Sequence, residues 1–333
     1  MVSLPFRLTR GRALRGAAAG LVVLGLLVWW LAPIGPASPS GSVTFSTGVT
    51  TGVYQRYGTL LKEDLARDLP RVSVDLRDSE GSQQNLARVA TGEADFTIAT
   101  ADAVAKYRKD SLPGAAGLRG CARLYDDYVQ LVAAKSAGIG SVRELRGKKV
   151  GVGQKGSGVR LLAERILSAA GLDPERDISP VPAGIDTMPG LLEEGKLDAF
   201  FWSGGLPTAA VQELSARFDI RLVPLDAALI EKLHASGGED ARYYRSAEIP
   251  ADAYDGIRST APVPTVAVAN LLVTNDGIDP DLVEGFTHTV IKSRDRIGHQ
   301  VHPAQLVDLR TAIYTDPLKL HEGATRYYQS VKP

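Results

Sequence analysis

Ser42-Val-Thr-Phe-Ser-Thr-Gly-Val-Thr-Thr-Gly-Val-Tyr54 decides how the chain is read. Ser42–Ser46 reads as a short strand, and Thr47–Gly52 is a loop of small residues. From Val53 onward apolar side chains recur at helical spacing, at Val53, Tyr57, Leu60, Leu61 and Leu65. Pro70 ends that helix. Val72–Leu76 alternates as a second strand. The turn Ser79–Ser82 leads into a helix marked by Leu86, Val89 and Ala90, and Gly92 suits its C-terminal cap. Asp95–Ala99 is a third strand.

The same order recurs about 105 residues later. Lys149–Val152 is a strand, Gly153–Gly158 a small-residue loop, and Val159–Ala170 a helix closed by Gly171. Ile178–Val181, Met188–Glu194 with Gly195, and Asp198–Phe201 complete the second copy. A Gly-x-x-Asp step precedes the last strand in both copies, at Gly92–Asp95 and Gly195–Asp198. Strand–helix–strand units of this kind build parallel sheets covered by helices. Two copies predict two similar α/β lobes with a ligand cleft between them. The apolar segments Tyr128–Ala134 and Val266–Thr274 read as two strands crossing between the lobes, which is a hinge. A helical stretch is expected over Asp281–Arg296. The expected division is lobe 1 over 42–127 and 268–333, and lobe 2 over 128–267.

The 333 residues, 44% apolar and 23% charged, exclude a disordered chain and a polytopic membrane protein. Lys plus Arg and Asp plus Glu both number 38, which argues against a nucleic-acid binder relying on net charge. Residues 1–41 carry Arg7, Arg10, Arg12 and Arg15 and no acid, so the rest of the chain is mildly acidic. One cysteine, Cys121, excludes an internal disulfide framework. The arginines precede the apolar run Ala17–Ala32. That run is either a secretory signal or an uncleaved membrane anchor, and residues 33–41 read as a linker. Both readings place the body outside the cytoplasmic membrane, secreted or anchored to its outer face.

In such sheets ligands sit at the carboxyl ends of strands, beside helix N-termini whose free N–H groups take carboxylate or phosphate. Both small-residue loops fall there. The candidate contacts are Thr47, Gly48, Thr50, Thr51, Gly52 and Tyr54 in the first loop, and Ser82 and Asn85 at the next helix start. Thr100 and Asp102 follow the third strand, where Asp102 either receives an ammonium group or caps a helix. Gly156, Ser157 and Gly158 form the second loop, and Phe201, Trp202, Ser203 and Gly204 the matching edge. Gly151-Val-Gly-Gln-Lys-Gly156 matches the dinucleotide fingerprint in form, but the following strand carries no acid to hold a ribose. His299 and His302 have metal-compatible spacing, but Pro303 and the lack of nearby carboxylates weigh against a metal site. No cofactor, catalytic residue or metal site is assigned.

Thr47–Tyr54, Gly81–Leu86, Gly92–Asp95, Leu145–Gly153, Gly156–Gly158, Asp198–Phe201, Gly204–Pro207, Val263–Ala269 and His321–Tyr328, in that order, resemble the TAXI-type solute-binding receptors of tripartite ATP-independent periplasmic (TRAP) transporters. The resemblance covers residues 42–332. It implies a type II periplasmic-binding-protein fold, no catalysis, and closure on a small carboxylate or amino-acid solute such as glutamate or glutamine. It also implies delivery to TRAP membrane permease subunits. The sequence departs from the family at Gln84, Thr100–Asp102 and Val159, which puts glutamate itself in question. The alternative function is a ligand-binding sensor signalling through a membrane partner.

Overall fold

A computed structural model of the chain describes Val23 and residues 39–332, other than 237, 258, 302, 303 and 306. The N-terminal signal or anchor and most of its linker therefore lie outside the described residues, as does His302. Among the described residues no helix is long and apolar enough to cross a membrane.

The first copy folds in the expected order. Strand β1 (Gly41–Ser46) is followed by α1 (Val53–Asp68), β2 (Val72–Arg77), α2 (Ser82–Thr91), β3 (Phe96–Thr100) and α3 (Ala101–Lys109). Helix α1 buries Tyr57, Leu60, Leu61 and Leu65, one stripe at helical spacing. Helix α2 ends at Gly92, which takes the left-handed conformation (φ 79°) that a residue with a Cβ resists.

β4 (Leu118–Ala134) then crosses the molecule. The second copy comprises β5 (Lys149–Gly151), α4 (Gly158–Ala169), β6 (Ser179–Val181), α5 (Met188–Glu193) and β7 (Ala199–Gly204). After α6 (Ala209–Arg217), β8 (Ile220–Leu222), α7 (Ala227–Ser236) and β9 (Tyr244–Ile249), β10 (Val263–Asn275) crosses back. The chain closes with α8 (Pro280–Lys292), α9 (Arg294–Gly298), α10 (Leu309–Ala312) and α11 (Glu322–Ser330).

The strands form one sheet in the order β2-β1-β3-β10-β4-β7-β5-β6, with β8 beside β4 and β9 beside β10. β1 pairs parallel with β2 and β3, and β5 pairs parallel with β6 and β7. The two copies thus repeat one pairing pattern at opposite ends of the sheet. β4 and β10 run antiparallel in the middle, Asp127 opposite Val268. From Tyr128 onward β4 pairs with β7, and from Asn270 onward β10 pairs with β3.

The Gly-x-x-Asp steps have the same role in both copies. The Asp95 carboxylate accepts the Thr44 N–H at 2.7 Å, and the Asp198 carboxylate accepts the Lys149 N–H at 2.8 Å. Each aspartate's own N–H donates to the same residue's carbonyl, at 2.9 and 2.8 Å. Each therefore pins the neighbouring strand, β1 at Thr44 within it and β5 at its first residue Lys149, and fixes the register there.

Each end of the sheet is covered on both faces, as parallel strands require. Phe45, Leu61, Phe96 and Phe286 lie in one core of the first end, and Leu86, Val104 and Leu271 in the other. Phe201 and Leu162 lie in one core of the second end, and Phe200 and Met188 in the other.

One sequence expectation needs correction and one needs detail. Tyr128–Ala134 is only the end of a 17-residue strand. Its earlier part carries Arg123, Asp126 and Asp127, which interrupt the apolar signal. The helical stretch expected over 281–296 is present, as two helices meeting at Ser293. The Ser293 hydroxyl bonds the Val290 carbonyl at 3.3 Å, a local competitor for the helical ladder.

Candidate functional site

The carboxyl ends of β1, β2, β3, β5 and β6 converge on one cleft. Gly48–Tyr54, Glu80–Ser82 and Thr100 line it from the first copy, with gaps at Thr50 and Thr51. Gly153, Gln154, Ser157–Val159, Ala183–Ile185, Met188, Trp202 and Ser203 line it from the second. Asp127 on β4 lines it too. The cleft holds about 650 Å³ free of protein atoms, its mouth included. That volume lies in the range of small-molecule sites.

Glycine is required at two of these turns. Gly153 has φ 82°, and a Cβ there would lie 2.8 Å from the Val159 Cβ and 2.9 Å from the Arg160 N. The glycines of the fingerprint-like stretch thus serve the tight turn into α4, which Ser157 caps by accepting the Arg160 N–H at 3.0 Å. Gly81 has φ 122° and brings the start of α2 against Ser157.

The two copies touch across the cleft. The Gln83 and Gln84 N–H groups donate to the Gly156 carbonyl at 3.1 and 3.2 Å, and the Gln83 side-chain amide donates to the Ser157 carbonyl at 2.8 Å. Two free donors of the α2 N-terminus are therefore satisfied by the opposite loop. The N-termini of α1 and α4, at Val53–Tyr54 and Gly158–Val159, line the cleft.

Of the residues singled out in the sequence, Gly48, Gly52, Tyr54, Ser82, Thr100, Ser157, Gly158, Trp202 and Ser203 lie in the lining. Thr47, Thr50, Thr51, Asn85, Asp102, Gly156, Phe201 and Gly204 lie outside it, each for a visible reason. The Thr47 hydroxyl is buried and engaged with Gln55 and the Arg77 carbonyl. Thr50 and Thr51 are exposed, Thr51 beside an adjoining depression shared with Trp202. The Asn85 amide is fully used: it accepts from Ser46 and Ser79, both at 2.7 Å, and donates to the carbonyls of Thr47 (2.7 Å) and Ile98 (3.0 Å). It clamps three loops together rather than facing a ligand. Gly156 offers its carbonyl to α2. Phe201 is core. Gly204 makes room for an indole, since a Cβ there would lie 2.6 Å from the Trp202 Nε1.

Asp102 is fully buried on α3 and is held elsewhere. It accepts the Tyr244 hydroxyl at 2.7 Å, and Arg165 donates to that same hydroxyl at 2.7 Å. Arg165 also pairs with Asp240 at 3.0 Å, and Asp240 with Lys109 at 3.4 Å. The carboxylate that faces the cleft is Asp127, only 4% exposed. Burial pushes it up from the ordinary carboxylate range to about 7; the Asp102 charge adds to the rise, and the Asn270 amide beside it opposes it. Tyr54 donates to the Asn270 Oδ1 at 2.5 Å, and its hydroxyl lies 3.2 Å from the Ser82 Oγ. Burial, and then the Asp127 charge, hold the Tyr54 phenol well above its usual range.

Sequence reasoning missed Asp127, Glu80, Gln154 and the loop Ala183–Met188. The loop had a readable signal, because it follows a strand of the second copy just as the first-copy turn at Glu80 does. Asp127 had none, since it lies beside Asp126 just ahead of the apolar segment that begins at Tyr128.

Among the described residues nine buried side-chain polar atoms lack a hydrogen-bond partner. Five belong to the lining: Thr100 Oγ1, Asp127 Oδ1, Gln154 Oε1, Trp202 Nε1 and Ser203 Oγ. Buried polar groups without partners are costly and rare. Their concentration here singles out this cleft as the candidate site.

The NMT1-like family model matches residues 45–331 of the chain. A Bordetella bronchiseptica protein of solved structure superposes with TM-score 0.52 at 17% identity, covering 88% of this chain and 90% of that one. A putative L-cystine ABC transporter protein from Listeria monocytogenes gives 0.50 at 14%, covering 80% and 98%. A substrate-binding protein of an ABC uptake transporter from Streptococcus pneumoniae, with bound histidine, gives 0.50 at 13%, covering 78% and 92%. At these identities the likeness shows the fold, which is the type II periplasmic-binding-protein fold.

Proposed function

The chain belongs to the NMT1-like family, and from that premise we propose that it is an extracytoplasmic solute-binding receptor, not an enzyme. The observation that carries this reading is the set of five unpartnered buried polar atoms lining one cleft between the two copies of the repeat. A ligand that bonds to them offsets the cost of leaving them dry, and that ties closure to binding. The lobes of this reading divide at 127/128 and 267/268. β4 and β10 are its hinge, and the Gln83 and Gln84 bonds to the opposite loop fasten the closed form.

The solute of this proposal is a small molecule bearing a carboxylate, of the glutamate and glutamine class. The N-termini of α1 and α4 favour its negative end. The permease is a TRAP-type secondary transporter. What supports that choice is the ordered set of sequence motifs running from Thr47 to Tyr328. The ABC-transporter neighbours share the fold at 13–14% identity and do not argue between permease classes.

Calorimetric titration of the purified full-length chain with L-glutamate, L-glutamine and C4–C5 dicarboxylates tests the reading. Saturable one-site binding of at least one, with the solute recovered unchanged, supports it. Conversion of a bound solute to product overturns it.

A further inference from the structure

Charge in the cleft is one-sided. The lining contains two carboxylates, buried Asp127 and exposed Glu80, and no lysine, arginine or histidine. A solute with two carboxylates and no cation would bring its second negative charge into a low-dielectric cleft holding acids alone. One carboxylate can be served by neutral donors: the Thr100 and Ser203 hydroxyls, the Trp202 indole N–H and the two helix N-termini. The Asp127 Oδ1 is buried in this lining and accepts a hydrogen bond from none of these neutral donors. Resting on the receptor reading, we propose that the solute carries a protonated amine which ion-pairs with the Asp127 carboxylate, and that the cleft rejects amine-free dicarboxylates.

Asp127 sits on the hinge strand β4, opposite Val268 of β10. An ammonium bound there neutralises the charge at the point where the two crossing strands meet, so amine recognition and closure are coupled. The titratable groups facing Asp127 are Asp102 on α3, Tyr54 on α1 and Tyr125 on its own strand. Asp102 is already engaged by Tyr244 and Arg165, and burial keeps both tyrosines protonated. Asp127 is thus the group that changes charge near neutrality. Binding of an ammonium requires its ionised form, so affinity weakens as pH falls below about 7.

The test pairs each amine with its amine-free counterpart: L-glutamate with glutarate, and L-glutamine with glutaramate. Binding to the full-length chain is measured by calorimetry at pH 8 and pH 5.5, for the wild type and Asp127→Asn. The proposal expects the amine to bind on the order of 10- to 100-fold more tightly than its counterpart, the size of a charged hydrogen bond gained or lost. It also expects about 10-fold weakening per pH unit below 7 in the wild type and none in the variant. Equal or tighter binding of the amine-free partner overturns the proposal and leaves the receptor reading standing. Retention of amine affinity and of its pH dependence in Asp127→Asn overturns it in the same way. If no member of either set binds, both fall, for the receptor reading commits to this solute class.

Discussion

Asp127→Asn should make the ligand-free protein more stable, by an amount that grows with pH. In the folded chain burial raises this carboxyl from 3.8 to about 7. A group whose folded value lies above its unfolded one contributes stability that is present below the unfolded value and lost as pH rises through the folded one. At ~1.4 kcal/mol per pH unit, the rise from about 4 to about 7 withdraws on the order of 4 kcal/mol from the wild type. Asparagine has the same shape and does not titrate. The variant should therefore gain roughly 4 kcal/mol on the wild type between pH 4 and pH 8, or roughly 6 °C in Tm for a unit of this size. The assay is a pair of thermal melts at several pH values, and the quantity read is the difference between the two proteins. Other titrating groups cancel in that difference. A difference that stays flat from pH 4.5 to 8.5, or that shrinks with rising pH, would refute the assignment of a buried, costly charge to this position. The same cost explains why the residue is worth having, since a group destabilised when empty gains the most when a cation arrives.

Four further outcomes follow from the packing. Asp95→Ala and Asp198→Ala should each cost about 1–3 kcal/mol in chemical denaturation, with Asp95 the more damaging because its bond to Thr44 is partly buried and that of Asp198 is exposed; equal effects would contradict this. Gln83→Ala removes a bond that exists only between the two copies, so it should weaken solute binding several-fold while shifting the unliganded Tm by less than about 2 °C. Phe286→Ala should cost about 3–5 kcal/mol, since its ring stacks on Phe96 at 4.0 Å and packs beside Phe45; a loss below about 1 kcal/mol would show that the core collapses around the gap. Cys121 is fully buried, and burial pushes its thiol up, so it should react with a thiol reagent only on unfolding; fast labelling of the native protein would contradict that burial.

The strand–helix order of both copies was legible because it rests on local spacing. An apolar stripe at 3.6 residues makes α1 bury Tyr57, Leu61 and Leu65 whatever lies beyond it, and Gly92, Gly171 and Gly195 end helices by their own backbone freedom. The repeat carried further: matching Gly-x-x-Asp steps announced two aspartates that each pin a neighbouring strand. The positions of both small-residue loops at one cleft followed from strand direction alone.

Only the tertiary structure decided which polar groups face that cleft. Asn85 and Asp102 look as available in the sequence as Ser82 and Thr100. Asn85 is consumed by four bonds to residues 6 to 39 positions away, and Asp102 by Tyr244, 142 positions away. Conversely, Asp127 stands beside Asp126 ahead of the apolar segment and attracts no notice until β4 pairs with β10 and lays it in the cleft. Phe200 and Phe201 enter different cores on opposite faces of β7, while Trp202 reaches the cleft. Local spacing determines what a segment becomes. The partners of a polar side chain depend on distant strands and on how the sheet brings them together, and no window of neighbouring residues contains that information.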